Sequence, residues 1–280
     1  MEVFMQSVLS VMFTIAQLFN ATAEFCETYT VEQGIKVEVY NANGDINVSV
    51  WDKEVVEVYA LLETKHDEQE LKKVAVDVSV GDIFAVKTEY LEKDAEVSVE
   101  YIINVPVGVR VHHVETANGK VEIKGTKGDV TSVSANGDID IKDVDGSIDA
   151  ATANGSVTIK SASGSVEART SNGDVTIKGS NSALSAITSN GSIIAEIYNI
   201  SEDGAKLKTS NGSIKIFVVD TLSADIIMGT SDGEVSVHNL PLSIKTESKM
   251  SLEGAIGKGG ASIQASTSLG NIDLYKIKKK

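Results

Sequence analysis

A short motif returns along the middle of this chain at a fixed interval, and that interval restricts the fold more than any other feature. The asparagines of an Asn-Gly pair lie at 118, 136, 154, 172 and 190, a constant step of 18 residues. Between them, glycines recur at half that step, each followed by a short alternation of apolar and polar residues. Such alternation is typical of a β-strand with one buried face. Each repeat therefore predicts two short strands that bury their apolar face only by stacking on the next repeat.

The fold class predicted from this pattern is all-β, a parallel β-solenoid with irregular β caps. Each 18-residue coil contributes one Val/Ile strand and one Val-Ala-Thr strand, so that bulky side chains face small ones across a thin core. Asn-Gly is also the commonest two-residue hairpin turn, which makes a series of hairpins the structural alternative. Identical inner patterns that recur every 18 residues favour the solenoid, because they place each strand on its own copy.

The Asn-Gly pairs are predicted to form the corners of the coils. Glycine allows the positive φ that a corner requires. The asparagine side chains arrive once per coil and are expected to stack into an amide ladder. The predicted ladder comprises Asn118, Asn136, Asn154, Asn172, Asn190, Asn211 and Asp232.

Four segments follow from the changes in pattern along the chain. Residues 1–23 are uncharged from Val3 onward and are predicted to be a signal peptide or an N-terminal anchor helix. Residues 24–112 are strand-rich without the short repeat and are predicted to be a β-rich N-terminal cap. The solenoid repeats occupy residues 113–239. Residues 240–280 are expected to form the C-terminal capping coils and a basic tail.

Three interpretations of residues 1–23 remain open, a cleaved signal peptide, an uncleaved anchor helix and a structured start of the fold. The small residues of Ala21-Thr22-Ala23 match the pattern of a signal peptidase site, with cleavage before Glu24. The polar residues inside the segment are spaced like one stripe of a helix, which indicates an uncleaved anchor. The first interpretation predicts an exported or envelope-associated protein, and the second leaves a membrane-associated or cytoplasmic location open. Membrane contact is expected only through this segment, and only if it stays uncleaved.

Composition excludes several classes of function. A net charge of −15 argues against nucleic acid as a partner, because phosphate binding needs an excess of Lys and Arg on some face. One cysteine and four scattered histidines offer neither a disulfide framework nor the ligand set of a zinc site, and no cofactor is predicted. Only 5% of the residues are aromatic, which does not fit a typical ligand-stacking pocket.

Several motifs together resemble one known family. They are Gly44-Asp45-Ile46 running into Trp51-Asp52, the link Val105–Val109, the Asn-Gly-x-Val-x-Ile repeats, and Gly254–Gly260 ahead of Thr267–Ile272. In this combination the chain resembles the bacterial and archaeal putative-adhesin proteins, a family of β-strand repeats of unknown function. The resemblance implies a solenoid carried behind a signal or membrane segment, and a role in adhesion. It supplies no catalytic motif.

A column of lysines is the first candidate binding feature. Lys124, Lys142, Lys160 and Lys178 follow the same register as the repeat and should stack one strand apart along one edge. One hypothesis is that this ladder binds an anionic polymer, such as an acidic cell-surface glycan. The alternative is a solvated edge that discourages lateral aggregation.

Apolar residues at outward positions of the later repeats form the second candidate, a contact strip of Ile187, Ile194, Phe217 and Ile227. Exposed apolar strips often mark contact surfaces. The alternative is coverage by a neighbouring loop, residues 198–203, where the repeat lengthens.

The function predicted from these features is a non-enzymatic surface or envelope protein for adhesion or binding. Its partner is expected to be a surface glycan, a protein or a second copy of the chain. A self-assembling scaffold, membrane-associated or intracellular, is the alternative. A carbohydrate-active enzyme ranks lower, because Asp138 and Asp140 beside Lys142 are the nearest approach to a catalytic set. No catalytic residue is therefore assigned.

Overall fold

The computed structural model describes residues 14–17, 20–180 and 182–277. Strands make up 66% of the structure and helix 2%, which confirms the all-β class. The chain divides into two compact units, Met1–Thr126 and Lys127–Lys280. The first unit thus extends past residue 112, where the predicted cap ends.

Unit 1 combines parallel and antiparallel strands in two sheets. In sheet 1A the order is β1-β2-β5-β8-β4-β10, and in sheet 1B it is β9-β3-β7-β6. The elements are β1 (Thr14–Gln17), β2 (Asn20–Thr30), β3 (Lys36–Tyr40), β4 (Ile46–Trp51), β5 (Val55–Thr64), the helix α1 (Glu68–Leu71), β6 (Val74–Val80), β7 (Ile83–Tyr90), β8 (Val97–Pro106), β9 (Arg110–Asn118) and β10 (Val121–Lys124).

A buried polar cluster fixes the corner that the outlying copy of the motif makes in unit 1. The Asn41 amide nitrogen donates to the carbonyl oxygens of Val99 (2.7 Å) and Gly44 (3.1 Å). Its side-chain oxygen accepts from the Thr88 hydroxyl at 2.8 Å, and that hydroxyl lies 2.8 Å from the Tyr101 hydroxyl. Buried polar groups are stable only when they are paired in this way. The cluster therefore holds the β3–β4 corner against β7 and β8.

The N-terminal segment enters the fold as strand wherever it is described. β1 and β2 pair antiparallel, and β2 continues antiparallel along β5, with Ala23 opposite Leu62. Ala21 and Ala23 are buried, so the pattern that resembles a cleavage site also fits a strand with one face in the core. The anchor-helix interpretation is wrong for residues 14–17 and 20–23, while residues 1–13, 18 and 19 lie outside the described part. No helix in that part is both long and apolar enough to cross a membrane.

Unit 2 is the repetitive unit. Its sheet 2A has the order β12-β14-β16-β18-β20-β26-β22, and its sheet 2B the order β11-β13-β15-β17-β19-β25-β21-β24-β23. The strands are β11 (Val130–Asn136), β12 (Ile139–Val144), β13 (Ile148–Asn154), β14 (Val157–Ala162), β15 (Val166–Asn172), β16 (Val175–Ser180), β17 (Leu184–Asn190), β18 (Ile193–Ile197), β19 (Ala205–Lys208), β20 (Ile214–Val218), β21 (Ala224–Asp232), β22 (Val235–His238), β23 (Ser243–Glu247), β24 (Ser251–Ile256), β25 (Ser262–Leu269) and β26 (Ile272–Lys276).

The register of the repeat strands distinguishes the solenoid from a series of hairpins. β11, β13, β15 and β17 pair in parallel, so that Asn136 lies beside Asn154, Asn154 beside Asn172, and Asn172 beside Asn190. Hairpins would have paired neighbouring strands of the chain antiparallel. Consecutive strands of the repeats instead alternate between sheets 2A and 2B. The predicted parallel β-solenoid is confirmed.

The core of unit 2 is a thin layer between a bulky face and a small one. Isoleucine and valine form the inner columns of sheet 2A, for example Ile141, Ile159 and Ile177, all fully buried. Alanines 150, 168 and 186 form a facing column in sheet 2B. Close packing of large against small side chains leaves little room for rings, which accounts for the scarcity of aromatic residues in the repeats.

Ser132 is a buried polar exception in the alanine column. It is 0% exposed, lies in register with Ala150, and its hydroxyl has no hydrogen-bond partner. An unpaired buried hydroxyl costs about 1 kcal/mol or more. We expect Ser132→Ala to raise the free energy of unfolding by about 1 kcal/mol, measured by urea denaturation. An equal or lower stability would show that the hydroxyl is satisfied in solution.

The C-terminal strands do not lie at the end of the stack, so the prediction that residues 240–280 form the capping coils is wrong for β25 and β26. β25 pairs in parallel with both β19 and β21, and β26 with both β20 and β22. The last coil in the sequence is therefore inserted between two earlier ones. β21, β22 and the antiparallel pair β23–β24 lie beyond it, and these strands close the described end of unit 2.

Candidate functional site

Side-chain amides connect the corners of unit 2 from coil to coil. The amide nitrogen of Asn154 donates to the side-chain oxygen of Asn136 at 2.8 Å, and Asn172 donates to Asn154 at 2.9 Å. The same bond joins Asn190 to Asn172 (2.9 Å) and Asn211 to Asn190 (2.7 Å). In unit 1, Asn118 donates in the same way to Asn43 at 2.7 Å. These bonds give the ladder a fixed direction along the stack.

Threonine hydroxyls, which were predicted only as part of the inner face, also hold several of the corners. The hydroxyl of Thr170 donates to the Gly155 carbonyl at 2.8 Å, and that of Thr188 to the Gly173 carbonyl at 2.9 Å. Both threonines are buried. The motif carried this signal, since a hydroxyl residue recurs two positions before each asparagine, as serine at 134 and as threonine at 152, 170 and 188.

Removal of one such hydroxyl provides a test of the corner. Thr170→Val keeps the side-chain shape but removes the donor to the Gly155 carbonyl. We expect a loss of about 1–2 kcal/mol in unfolding free energy. Thr176→Val, on the outer face of β16, is the control and should change stability little. Equal effects of the two variants in urea denaturation would contradict this role of the hydroxyl.

The sequence order predicted that Asp232 continues the ladder after Asn211. In the structure it does not. Leu269 of the inserted strand β25 lies between them, in register with Asn211 on one side and Asp232 on the other. The physical reason is the insertion itself, because the neighbouring coil in space is no longer the next coil in sequence. The hydrogen bonds between side-chain amides that the structure shows in unit 2 therefore run from Asn136 to Asn211.

The lysines of unit 2 form a column on the outer face of sheet 2A. Lys142, Lys160 and Lys178 lie in register on β12, β14 and β16, about 4.8 Å apart per strand. Lys124 belongs to unit 1, where it lies in register with Ser49 of β4. Two ammonium groups held at the strand spacing would repel by about 1 kcal/mol in water. Glu196 lies 3.6 Å from Lys178 and offsets part of that repulsion at one end of the column.

The residue after each lysine of this column has left-handed backbone geometry. Asp143, Ser161 and Gly179 have φ values of 56°, 60° and 74°. Such a residue bends the strand locally, as at a β-bulge. The lysines therefore stand at the edge of the flat face, immediately before a bend. Only the glycine after Lys178 (and after Lys124) indicated this bend in the sequence.

The column continues beyond Glu196 as a stack of aromatic rings, which the sequence did not predict. Phe217 lies in register with Glu196 and with Tyr275, and Tyr275 lies in register with His238. The Phe217 and Tyr275 ring centroids are 5.0 Å apart, those of Tyr275 and His238 are 4.4 Å apart, and both pairs are stacked. His238 Nε2 lies 2.8 Å from Asp273 Oδ1.

We call this line of side chains the outer row. It runs across adjacent strands of sheet 2A and has a basic part and an aromatic part, separated by one carboxylate. A row of side chains that repeats at strand spacing suits an extended chain that lies across the strands. The outer row comprises Lys142, Lys160, Lys178, Glu196, Phe217, Tyr275 and His238.

The predicted contact strip is not one surface. Ile194 and Phe217 lie on the outer face of sheet 2A, whereas Ile187 and Ile227 lie on the outer face of sheet 2B. The prediction is wrong because it read outward positions along the sequence, while successive strands alternate between the two sheets. Ile227 is 44% exposed, and Phe217 is partly covered by its stacking with Tyr275.

The residues considered for catalysis have structural partners. Asp138 Oδ1 accepts a hydrogen bond from the Ser156 backbone at 2.7 Å, so this carboxylate supports a corner. The one cysteine of the chain, Cys26, is no better suited to catalysis. Burial, and then Glu57, Glu24 and Glu27, raise the pKa of its thiol, which opposes formation of a thiolate nucleophile. Within residues 14–17, 20–180 and 182–277, no group of three or more His, Cys, Asp or Glu side chains is placed to hold a metal ion.

Two surface clefts are further candidate sites. The cleft in unit 1, about 510 Å³, is lined by polar residues that include Asn43, Glu63 and Glu96, and Glu96 is paired with His66 at 2.8 Å. The cleft in unit 2, about 310 Å³, lies on the outer face of sheet 2B beside Lys206 and Glu253. Both clefts are lined by a mixture of hydroxyl, carboxylate and lysine side chains, whereas the lysine part of the outer row repeats one chemistry over three strands.

Comparison with known proteins gave a family match over residues 98–275, to the family described as Toastrack DUF4097. Curated protein sequences gave no significant match. Among solved structures, a putative adhesin from Bacteroides fragilis is 12% identical with a TM-score of 0.46, over 91% of this chain and 97% of that one. A putative lipid binding protein from Parabacteroides distasonis is 14% identical with a TM-score of 0.49, over the same shares of the two chains. The family assignment rests on the sequence match alone.

Proposed function

The chain belongs to the Toastrack DUF4097 family, and from that premise we propose that it is a non-enzymatic binding protein of the cell surface or envelope. The match confirms the family resemblance that the motifs indicated. The proposed ligand is an extended acidic polymer, such as a cell-surface glycan, held along the outer row of unit 2. The observation that carries the proposal is the in-register column of Lys142, Lys160 and Lys178.

Electrostatics favour a polyanion at this column despite the net charge of −15. At physiological ionic strength, charges more than about 8 Å apart are largely screened, so the ligand responds mainly to the lysines that it touches. A carboxylate placed between neighbouring ammonium groups also relieves their mutual repulsion. The aromatic part of the row then offers apolar edges and polar tips to the same chain.

Binding of polygalacturonate, compared with its fully methyl-esterified neutral form, tests this proposal. We expect the acidic polymer alone to bind, measured by biolayer interferometry. Replacing Lys142, Lys160 and Lys178 by Gln should weaken binding on the order of a hundredfold, at about 1 kcal/mol per lost contact. The control replaces Lys206, Lys208 and Lys245 by Gln, which gives the same net charge. Equal loss in both variants, or binding of the neutral polymer, would contradict the proposal.

Ionic strength should affect this binding in two opposite ways. At very low salt the net charge of −15 repels a polyanion over long distances, so the affinity should rise as salt is first added. At high salt the lysine contacts themselves are screened, and the affinity should fall. A titration from about 10 mM to 1 M salt measures this curve. Affinity that is independent of salt would exclude the lysine column as the contact.

The envelope location rests on the N-terminal segment and needs a separate test. Cleavage before Glu24 would remove Ala21 and Ala23, whose side chains are buried against β5, whereas an uncleaved chain keeps β2 whole. We expect the chain in the envelope or medium fraction, with N-terminal sequencing reporting which form is present. Recovery only in the cytoplasmic fraction, with Met1 intact, would favour the scaffold alternative.

A further inference from the structure

Five corners of unit 2 between Asn136 and Gly212 carry the dipeptide most prone to spontaneous deamidation. In that reaction the backbone nitrogen of glycine attacks the side-chain amide carbon of the preceding asparagine. A carbon–nitrogen bond forms, ammonia leaves with the proton of the glycine nitrogen, and a cyclic imide results. Water then opens the imide to aspartate or isoaspartate. The corners are Asn136-Gly137, Asn154-Gly155, Asn172-Gly173, Asn190-Gly191 and Asn211-Gly212.

The native stack holds the attacking nitrogen. The Gly155 N–H donates to the backbone carbonyl of Asn172 at 2.9 Å, and the Gly173 N–H donates to that of Asn190, also at 2.9 Å. Gly137 and Gly191 make the same bond to the next coil. The nitrogen becomes a nucleophile only when it loses this proton. Its reaction therefore requires that the coil first open.

The native stack also holds the group that is attacked. The Asn172 side chain donates to Asn154 and accepts from Asn190, both at 2.9 Å. These two bonds fix the amide in the ladder and prevent its rotation onto the glycine nitrogen. Both reacting atoms of one corner are thus restrained by neighbouring coils, and an isolated coil would restrain neither.

We propose that the Asn-Gly corners of unit 2 are conformationally gated deamidation sites. The stacked coils keep them unreactive, and a coil that has opened and reacted no longer restacks. An aspartate side chain cannot donate to the asparagine oxygen before it, so two oxygens would face each other at hydrogen-bond distance. Isoaspartate adds a methylene group to the main chain and disturbs the strand register that the stack requires.

The one acidic rung in the sequence agrees with this inference. Asp232 precedes Gly233 at the position equivalent to the asparagines, but its neighbour in register is Leu269 and not an asparagine. The carboxylate of Asp232 therefore lies beside no asparagine side-chain oxygen to which it would have to donate a hydrogen bond. The one acidic residue at a ladder position, Asp232, thus lies beside Leu269 and outside the series of asparagines from Asn136 to Asn211.

Peptide mapping by mass spectrometry tests whether the stacked coils prevent deamidation. The full chain is incubated at mildly alkaline pH, natively and in urea, and deamidation is followed at Asn154 and Asn172. We expect the native rates to be at least about a hundredfold lower than those in urea, since reaction needs local opening. Asn47, which precedes the bulky Val48, is the internal control and should react slowly in both. Equal rates at Asn154 and Asn172 in the two conditions would overturn the proposal.

Refolding tests the consequence. Chain aged in alkaline urea should fail to regain its circular dichroism on dilution, whereas chain kept equally long in mildly acidic urea should recover it. In addition, Asn172→Asp should lower the melting temperature by several degrees, while Asp232→Asn should leave it nearly unchanged. Full recovery of the aged chain, or an Asn172→Asp variant as stable as the wild type, would overturn this part of the proposal.

Discussion

Gly173→Ala is expected to destroy the native stacking of unit 2. Gly173 has a φ of +153°, and a Cβ atom there would lie 2.1 Å from the carbonyl oxygen of Gly155 and 2.5 Å from its carbon. Both atoms belong to the backbone of the neighbouring coil, which cannot move without breaking its own ladder. We expect Gly173→Ala to lower the free energy of unfolding by more than about 4 kcal/mol. Circular dichroism and thermal unfolding measure it.

Gly229→Ala is the matched control for this substitution. Gly229 lies on the outer face of β21, and a Cβ atom there would meet nothing within 4 Å. This variant should fold normally and gain slightly from the lower entropy of its unfolded chain. If Gly173→Ala melted within a few degrees of Gly229→Ala, the close approach of successive corners would be disproved.

Removal of the inserted coil is expected to have the second large effect. A chain that ends at Gly260 lacks β25 and β26, and so loses the buried side chains of Ile263, Ile272 and Leu274. Each contributes about 2 kcal/mol of apolar burial. β22 also loses the strand with which it pairs, and β19 and β20 lose a neighbour on one side. The second half of unit 2 should therefore unfold.

Hydrogen exchange measures this loss along the chain. We expect residues 205–238 to lose protection, while β13 to β16, whose pairing partners are all retained, should keep theirs. A chain that ends at Ile277 is the control and should be protected like the full chain. Unchanged protection of β22 in the shorter chain would show that β26 is not its partner.

The sequence predicted the part of the fold in which coils that follow one another in the sequence are also neighbours in space. The constant 18-residue step from Asn118 to Asn190 implies parallel strands in register, and the corner glycines follow from the same step. After Asn190 the step lengthens, and the sequence no longer reports which coil is adjacent. The insertion of β25 and β26 is a tertiary arrangement that depends on packing and leaves no periodic signal.

The candidate site was predicted in part for the same reason. The lysine column lies within the regular repeats and could be read from their register. The stack of Phe217, Tyr275 and His238 could not, because Tyr275 reaches its place only through the inserted strand β26. The bend after each lysine was also hidden, since aspartate and serine occupy it at residues 143 and 161 where glycine would have signalled it.

Lysine footprinting tests the central claim, that the lysine column of the outer row is the binding surface, most directly. The native chain is acetylated briefly with and without polygalacturonate, and modification of each lysine is measured by mass spectrometry. Our account predicts that the polymer protects Lys142, Lys160 and Lys178, while Lys206, Lys208 and Lys245 react as they do in its absence. Uniform labelling of all six lysines in the presence of bound polymer would contradict it.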